Sequence, residues 1–145
     1  MSGDGTYLGF DFGLRRIGVA VGESITGSAR PLETLAARDG QPDWSRIEAL
    51  LRTWRPVALI VGIPRRLNGT ASDMTPPAER FARRLHGRFG LPVHTVEEQL
   101  SSYAAEQALT ERGRGGGRLE RQKEEIDRLA AAIILETWFG ERRHD

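Results

Sequence analysis

The sequence predicts an α/β protein: a mixed five-stranded sheet, its first three strands antiparallel and the rest in parallel βα units, with helices on both faces. Two apolar segments near the start are joined by a connection too short for anything but a hairpin. A later run, "VALIVGI" (57–63), is apolar without interruption, as in a strand buried on both sides. From there strand-like and helix-like periods alternate, which requires right-handed crossovers. The 145 residues suffice for one domain with a sizeable core, and neither an internal repeat nor a second domain is visible.

The elements follow in order. Tyr7 to Phe12 is apolar and aromatic and ends at Gly13, a strand and then a turn. Arg16 to Gly22, "RIGVAVG", is a second strand, its glycines leaving room for chain or substrate to come close. Ser28 to Leu35 alternates loosely as a third, and Pro31 there implies an edge position or a bulge. "RDGQPDW" (38–44) reads as a loop in which Asp43 caps a helix over Trp44–Trp54, its apolar residues at helical spacing until Pro56 stops it. After the fourth strand (57–63), "PRRLNGTASDMTPP" is a polar loop with turn chemistry at Asn68-Gly69. A helix runs on to about Phe89, and "LPVHTVEE" (91–98) is the fifth strand. Ser101 or Ser102 caps a further helix to about Arg112, and 112–123, rich in Gly and Arg, reads as a mobile basic loop. The last helix spans about Glu120 to Phe139, with Ile126, Leu129, Ala130, Ile133, Ile134 and Trp138 on one face.

Composition removes several classes of function. Without cysteine there are no disulfides, zinc–thiolate sites or thiol nucleophiles. No apolar run approaches the length of a membrane span, and "MSGDGTY" lacks the basic and apolar regions of a secretory signal, so a cytoplasmic location is expected. With 21 basic and 20 acidic residues the net charge is +1, and only the segment 112–123 is strongly basic.

Three acids stand where burial and charge conflict. Asp11 lies mid-strand between Phe10 and Phe12. An isolated carboxylate there would be neutralised, so it must be paired or bound to a cation. Glu98, following Glu97, ends the fifth strand, and Asp127 adjoins the apolar stripe of the last helix. With the first and fourth strands adjacent at the sheet centre and the fifth beside the fourth, Glu98 can approach Asp11, and a helix across that end can add Asp127. Oxygen-only ligands suit Mg²⁺ or Mn²⁺ rather than zinc. Two such ions about 4 Å apart activate a water and stabilise a leaving oxygen in phosphodiester hydrolysis. Singly, each acid has a plainer reading: backbone amides for Asp11, a helix-entry charge for Glu98, an ion pair with Lys123 for Asp127. Together they favour metal chemistry.

"GFDFGLRRIGVAVGE", "ARPLETL", "LIVGIPRRLNGT", "VEEQLSS" and "KEEIDRLAAAIIL" occur in the order seen in the YqgF/RuvX family, which the chain resembles from Tyr7 to Trp138. The resemblance implies an RNase H-like fold and a metal-dependent nuclease that matures the 5′ end of pre-16S ribosomal RNA, with Holliday junction resolution the older assignment. By motif, Asp11, Glu98 and Asp127 are its catalytic, metal-binding acids. The arginine of the family's Asp-Glu-Arg segment is Gln99 here, and its Ser-Asp after the second strand is Gly22-Glu23.

Arginine's planar fork suits phosphate, and backbone contacts position a nucleic acid without reading its sequence. Arg15, Arg16, Arg65, Arg66, Asn68 and Thr70 lie near the carboxyl ends of the strands, where open α/β sheets bind ligands. With Ser101 and Lys123 they make up the expected nucleic-acid contacts. The partner expected is structured RNA, a ribosomal precursor, or branched DNA, met by a monomer or homodimer; no membrane is involved. A non-catalytic nucleic-acid-binding module on the same fold is the alternative from another class. Actin- and sugar-kinase-like ATPases also begin Asp-x-Gly, but there a hydroxyl residue follows and the domain is duplicated, whereas here Leu14-Arg15 follows.

Overall fold

A computed structural model describes residues 4–99 and 116–143 of the chain. Strands β1 (Thr6–Asp11), β2 (Arg16–Glu23) and β3 (Ser28–Arg38) form an antiparallel meander, and a two-residue strand β4 (Gln41–Pro42) extends its edge. Helix α1 (Trp44–Trp54), β5 (Ala58–Arg65), α2 (Thr75–Phe89), β6 (Val93–Gln99) and α3 (Gly116–Arg143) follow. The sheet order is β4-β3-β2-β1-β5-β6, with β5 parallel to both β1 and β6. The expected mixed sheet is present, with six strands instead of five.

The additional strand comes from the stretch read as loop. Asp39 (φ 51°) and Gly40 (φ 81°) both take left-handed backbone and turn the chain back, so that Arg38 pairs with Gln41 and Ala37 with Pro42. Asp tolerates that conformation better than most residues, and two residues carry no periodicity to read. Pro31 sits at a bulge: Val19 pairs with Glu33 and Ala20 with Pro31, which leaves Leu32 over. Helix α1 has the predicted bounds. Asp43 accepts a hydrogen bond from the Ser45 amide at 3.0 Å, and Arg55 takes a left-handed C-cap (φ 47°) ahead of Pro56. Helix α2 begins at Thr75, inside the predicted loop, because proline fits the first helical turn.

The two faces of the sheet are built from different residue sizes. Strand alternation sends Leu8, Phe10, Ile17, Val19, Val21, Leu59, Val61 and Ile63 to one side, where they pack with Ile47 and Leu50 of α1 and Phe81 and Leu85 of α2. The other side carries small residues: Gly9 and Asp11 of β1, Gly18, Ala20 and Gly22 of β2, Ala58 and Gly62 of β5. Helix α3 lies directly on them through Ala131, Ala132, Ile134, Leu135, Trp138 and Phe139. Tyr7 closes that layer, its ring 5.1 Å from Trp138 and 5.4 Å from Phe139.

Two expectations about the last helix change. It starts at Gly116, so residues 116–123 of the expected loop are helical, while 112–115 lie outside the described residues. The face it buries is also rotated. Ile126, Leu129 and Ile133 are exposed among the described residues, and the sheet-facing stripe runs through Asp127, Ala131, Ile134, Leu135 and Trp138. Glycine-lined strands select the face whose side chains fit closest, and that is not the most apolar one. The predicted helix from Ser101 to Arg112 lies outside the described residues. No described helix is long and apolar enough to cross a membrane.

Candidate active site

Strand pairing places Asp11 between two glycines: Gly18 opposite it on β2 and Gly62 beside it on β5. Both pairings lie at the carboxyl end of the parallel strands. A Cβ on Gly18 would collide with the backbone carbonyl of Asp127, and one on Gly62 would meet the Ile134 side chain and come within 3.2 Å of the Glu98 carboxyl carbon. The glycines therefore admit α3 on one side and Glu98 on the other.

Period-two geometry separates the adjacent acids of β6. Pairing of Pro64 with Glu98 and Ile63 with Glu97 turns Glu98 to the face of Gly62 and Asp11, and Glu97 to the face of α2. Glu97 there accepts from Arg65 Nε at 2.8 Å, with Glu79 of α2 at 3.7 Å from the same guanidinium. Arg65, read from the sequence as a phosphate contact, thus lies on the face away from the carboxylates. One residue of register decides it.

Asp11 is held well above the usual carboxylate range, first by burial, then by the negative charges of Glu98 and Asp127 and by a hydrogen bond to Glu98. Glu98 is raised by burial, opposed by that same hydrogen bond. The two carboxyls therefore hold a proton more readily than exposed carboxyls do. Asp127 is also raised by burial, against the opposing effects of a hydrogen bond and charge from Arg16. Its Oδ2 accepts from Arg16 Nε at 2.8 Å, and the two side chains are 21% and 25% exposed. Glu124, one turn earlier on α3, adds repulsion. Asp127's ion pair is with Arg16, from 111 positions away, and not with Lys123 as sequence spacing suggests. Next to it, Thr34 donates to the Glu124 carbonyl at 2.7 Å and accepts from Arg128 at 3.4 Å, which ties the start of α3 to β3.

These donors suit a hard divalent cation. Asp11 and Glu98 are half-buried, offer only oxygen donors and repel one another when both are ionised, so they need a proton or a cation between them. Among the described residues no three acidic or imidazole side chains are grouped so as to share one ion, and Asp127 is paired with Arg16.

Of the other predicted contacts, Arg15, Arg66, Asn68 and Thr70 are exposed. Asn68 accepts from the Thr70 amide and hydroxyl at 3.0 and 2.7 Å, a local turn that shapes the loop after β5. Ser101 lies outside the described residues. Sequence reading missed Gly62 and the Arg16–Asp127 pair; the small-residue alternation of β1, β2 and β5 is the signal that could have marked Gly62.

The profile of the family described as "RuvX: Holliday junction resolvase" matches residues 5–141. The chain belongs to the RuvX family. Among curated relatives, the "Putative pre-16S rRNA nuclease" of Azotobacter vinelandii is 54% identical to this RuvX-family chain over 98% of each sequence. A protein of the same name from Pseudomonas paraeruginosa is 50% identical over 92% of this chain and 91% of its own. Among solved structures, RuvC of T. thermophilus in complex with a Holliday junction substrate superposes with a TM-score of 0.53 at 20% identity, covering 97% of this chain and 96% of that one. The Holliday junction resolvase of fowlpox virus gives 0.51 at 14% identity, covering 94% and 98%. The RuvX-family fold is thus RuvC-like and RNase H-like, as its motifs implied.

Proposed function

We propose that this chain is a cytoplasmic, divalent-cation-dependent endonuclease that hydrolyses phosphodiester bonds in structured RNA, with the 5′ end of pre-16S ribosomal RNA as its substrate. The observation that carries this reading is the half-buried Asp11–Glu98 pair at the carboxyl end of parallel strands, with the backbone of Asp127 packed against Gly18 on the neighbouring strand. Relatives of about half identity that bear a pre-16S rRNA nuclease name support the substrate.

Asp11 and Glu98 would hold Mg²⁺ or Mn²⁺, with Asp127 as the third acid. A bound divalent cation supplies Lewis-acid polarisation of the phosphate and acidifies a water. The residues of the chain do the rest. Both Asp11 and Glu98 must be carboxylates to hold the cation, so a proton on either would leave to solvent as it binds. Exposed Arg15 and Arg66, which follow the carboxyl ends of β1 and β5, would engage phosphates without selecting bases. The closely packed face under α3 excludes water from all but the carboxyl edge.

A cleavage assay on precursor RNA with Mn²⁺ tests the reading, with Asp11→Asn expected to lower the rate by about 10³-fold, several kcal/mol at 1.36 kcal/mol per decade. Cleavage by Asp11→Asn at the wild-type rate refutes it. The family description favours branched DNA as a second reading. A four-way junction in the same assay, with sedimentation to detect the symmetric dimer such a substrate requires, separates the two.

A further inference from the structure

Asp127 is placed for the cation site yet occupied elsewhere. Its backbone is fixed by contact with β2 at Gly18, and one carboxylate oxygen is committed to Arg16 at 2.8 Å. Both side chains remain partly exposed, at 21% and 25%, so a ligand reaching the edge of the sheet can touch the guanidinium. Arg16 starts β2 and shares the α3 face with Gly18, one strand over from Asp11.

We propose that Arg16 is a positioning residue that holds Asp127 away from the cation site until a nucleic-acid phosphate replaces the carboxylate on its guanidinium. This rests on the reading of Asp11 and Glu98 as cation ligands. With Asp127 paired to Arg16, no three acids among the described residues share an ion, so Asp127 completes the shell only in a different side-chain torsion. Exchange of carboxylate for phosphate trades one charge-assisted hydrogen bond for another, which keeps the cost of the swap small. Because the α3 backbone has no room to move against Gly18, the switch is confined to side-chain torsions of Asp127 and Arg16. Reciprocity follows: nucleic acid tightens the cation and the cation tightens nucleic acid. A docking ion pair for α3 alone predicts no such coupling.

The experiment is calorimetric titration of Mn²⁺ into the full chain without nucleic acid, with circular dichroism to confirm folding. Arg16→Gln is expected to bind Mn²⁺ on the order of tenfold more tightly than wild type, within the usual range of coupling between sites. Arg15→Gln removes the same charge one residue away and is expected to change affinity by much less. Addition of Asp127→Asn to Arg16→Gln is expected to abolish the gain. A second measurement needs no metal: binding of a fluorescent RNA hairpin in EDTA. Asp127→Asn, which takes this carboxylate's charge off Arg16, is expected to bind several-fold more tightly than Asp11→Asn, which leaves the ion pair in place. Unchanged or weaker Mn²⁺ binding by Arg16→Gln, or equal RNA binding by the two Asn variants, overturns the proposal while the cation reading stands. No Mn²⁺ binding by wild type or any variant overturns the cation reading itself, and the proposal with it.

Discussion

Asp11 is the least comfortable residue in the chain, and its discomfort is measurable. Burial and two neighbouring acids raise its pKa in the folded protein. A carboxyl whose folded pKa lies above its unfolded value binds protons more strongly when folded, so it favours folding at low pH. That contribution is lost as pH rises from the unfolded value, about 4, through the raised one. Thermal unfolding in EDTA is therefore expected to show a midpoint that falls over this window and a flatter profile for Asp11→Asn. At neutral pH Asp11→Asn is expected to melt above wild type while cleaving far less, and Mn²⁺ is expected to raise the wild-type midpoint. A wild-type midpoint that rises through the window contradicts this. That Glu98 lies beside Asp11 was legible in the sequence, because a charge inside an apolar pattern stands out and the strand order brings the two together. The partner of Asp127 was not. An ion pair spanning 111 positions leaves no local trace, whereas Lys123 offered the familiar i, i+4 spacing.

The hairpin β1–β2 and helix α3 depend on each other through glycine. Gly18 has no room for even one added carbon, since the obstruction is the Asp127 backbone and not a flexible side chain. Gly18→Ala is expected to cost about 2–4 kcal/mol, more than ordinary overpacking because a helix must shift, and to reduce cleavage together with stability. Chemical denaturation with a parallel activity assay checks both; a fully stable, fully active Gly18→Ala chain would show that α3 is not seated there. Gly62→Ala meets the tip of Ile134, which can turn, and is expected to cost less. Elements with long, strong periods were readable: α1 has the predicted bounds, and the Ala/Gly against Ile/Val alternation of "RIGVAVG" gave a strand with a small face. The exposed stripe of α3 was misread because helical periodicity gives a face without saying which neighbour will select it. Only the glycines across the sheet do that. Its start was misplaced because glycines lower helix propensity by about 1 kcal/mol each without forbidding extension from a stable helix.

A net charge of +1 means that attraction to nucleic acid comes from a few side chains around one edge and not from the molecule's overall field. RNA binding is expected to weaken with salt with a modest slope. Arg15→Ala and Arg66→Ala are each expected to reduce that slope by about 0.7–0.9, one phosphate's share, across unrelated sequences. Arg65→Ala is expected to leave the slope unchanged, because its guanidinium faces Glu97 and Glu79 behind the sheet. Fluorescence titrations at several salt concentrations distinguish the three; an equal loss of slope for Arg65→Ala would mean that RNA also runs over the α2 side. The sheet order and the carboxyl-edge location were legible from topology alone, since parallel neighbours and crossovers leave few arrangements. Which arginine faces that edge was not, because a shift of a single position reverses the side.

Segments far apart in the chain meet at this edge of the sheet, β1 supplying Asp11 and α3 Asp127. During synthesis the ribosome releases the former long before the latter. A nascent or truncated chain can thus form the meander and still lack the acid carried by α3. If Asp127 is the third acid, as proposed, such a chain is inert and becomes competent only once α3 has been made.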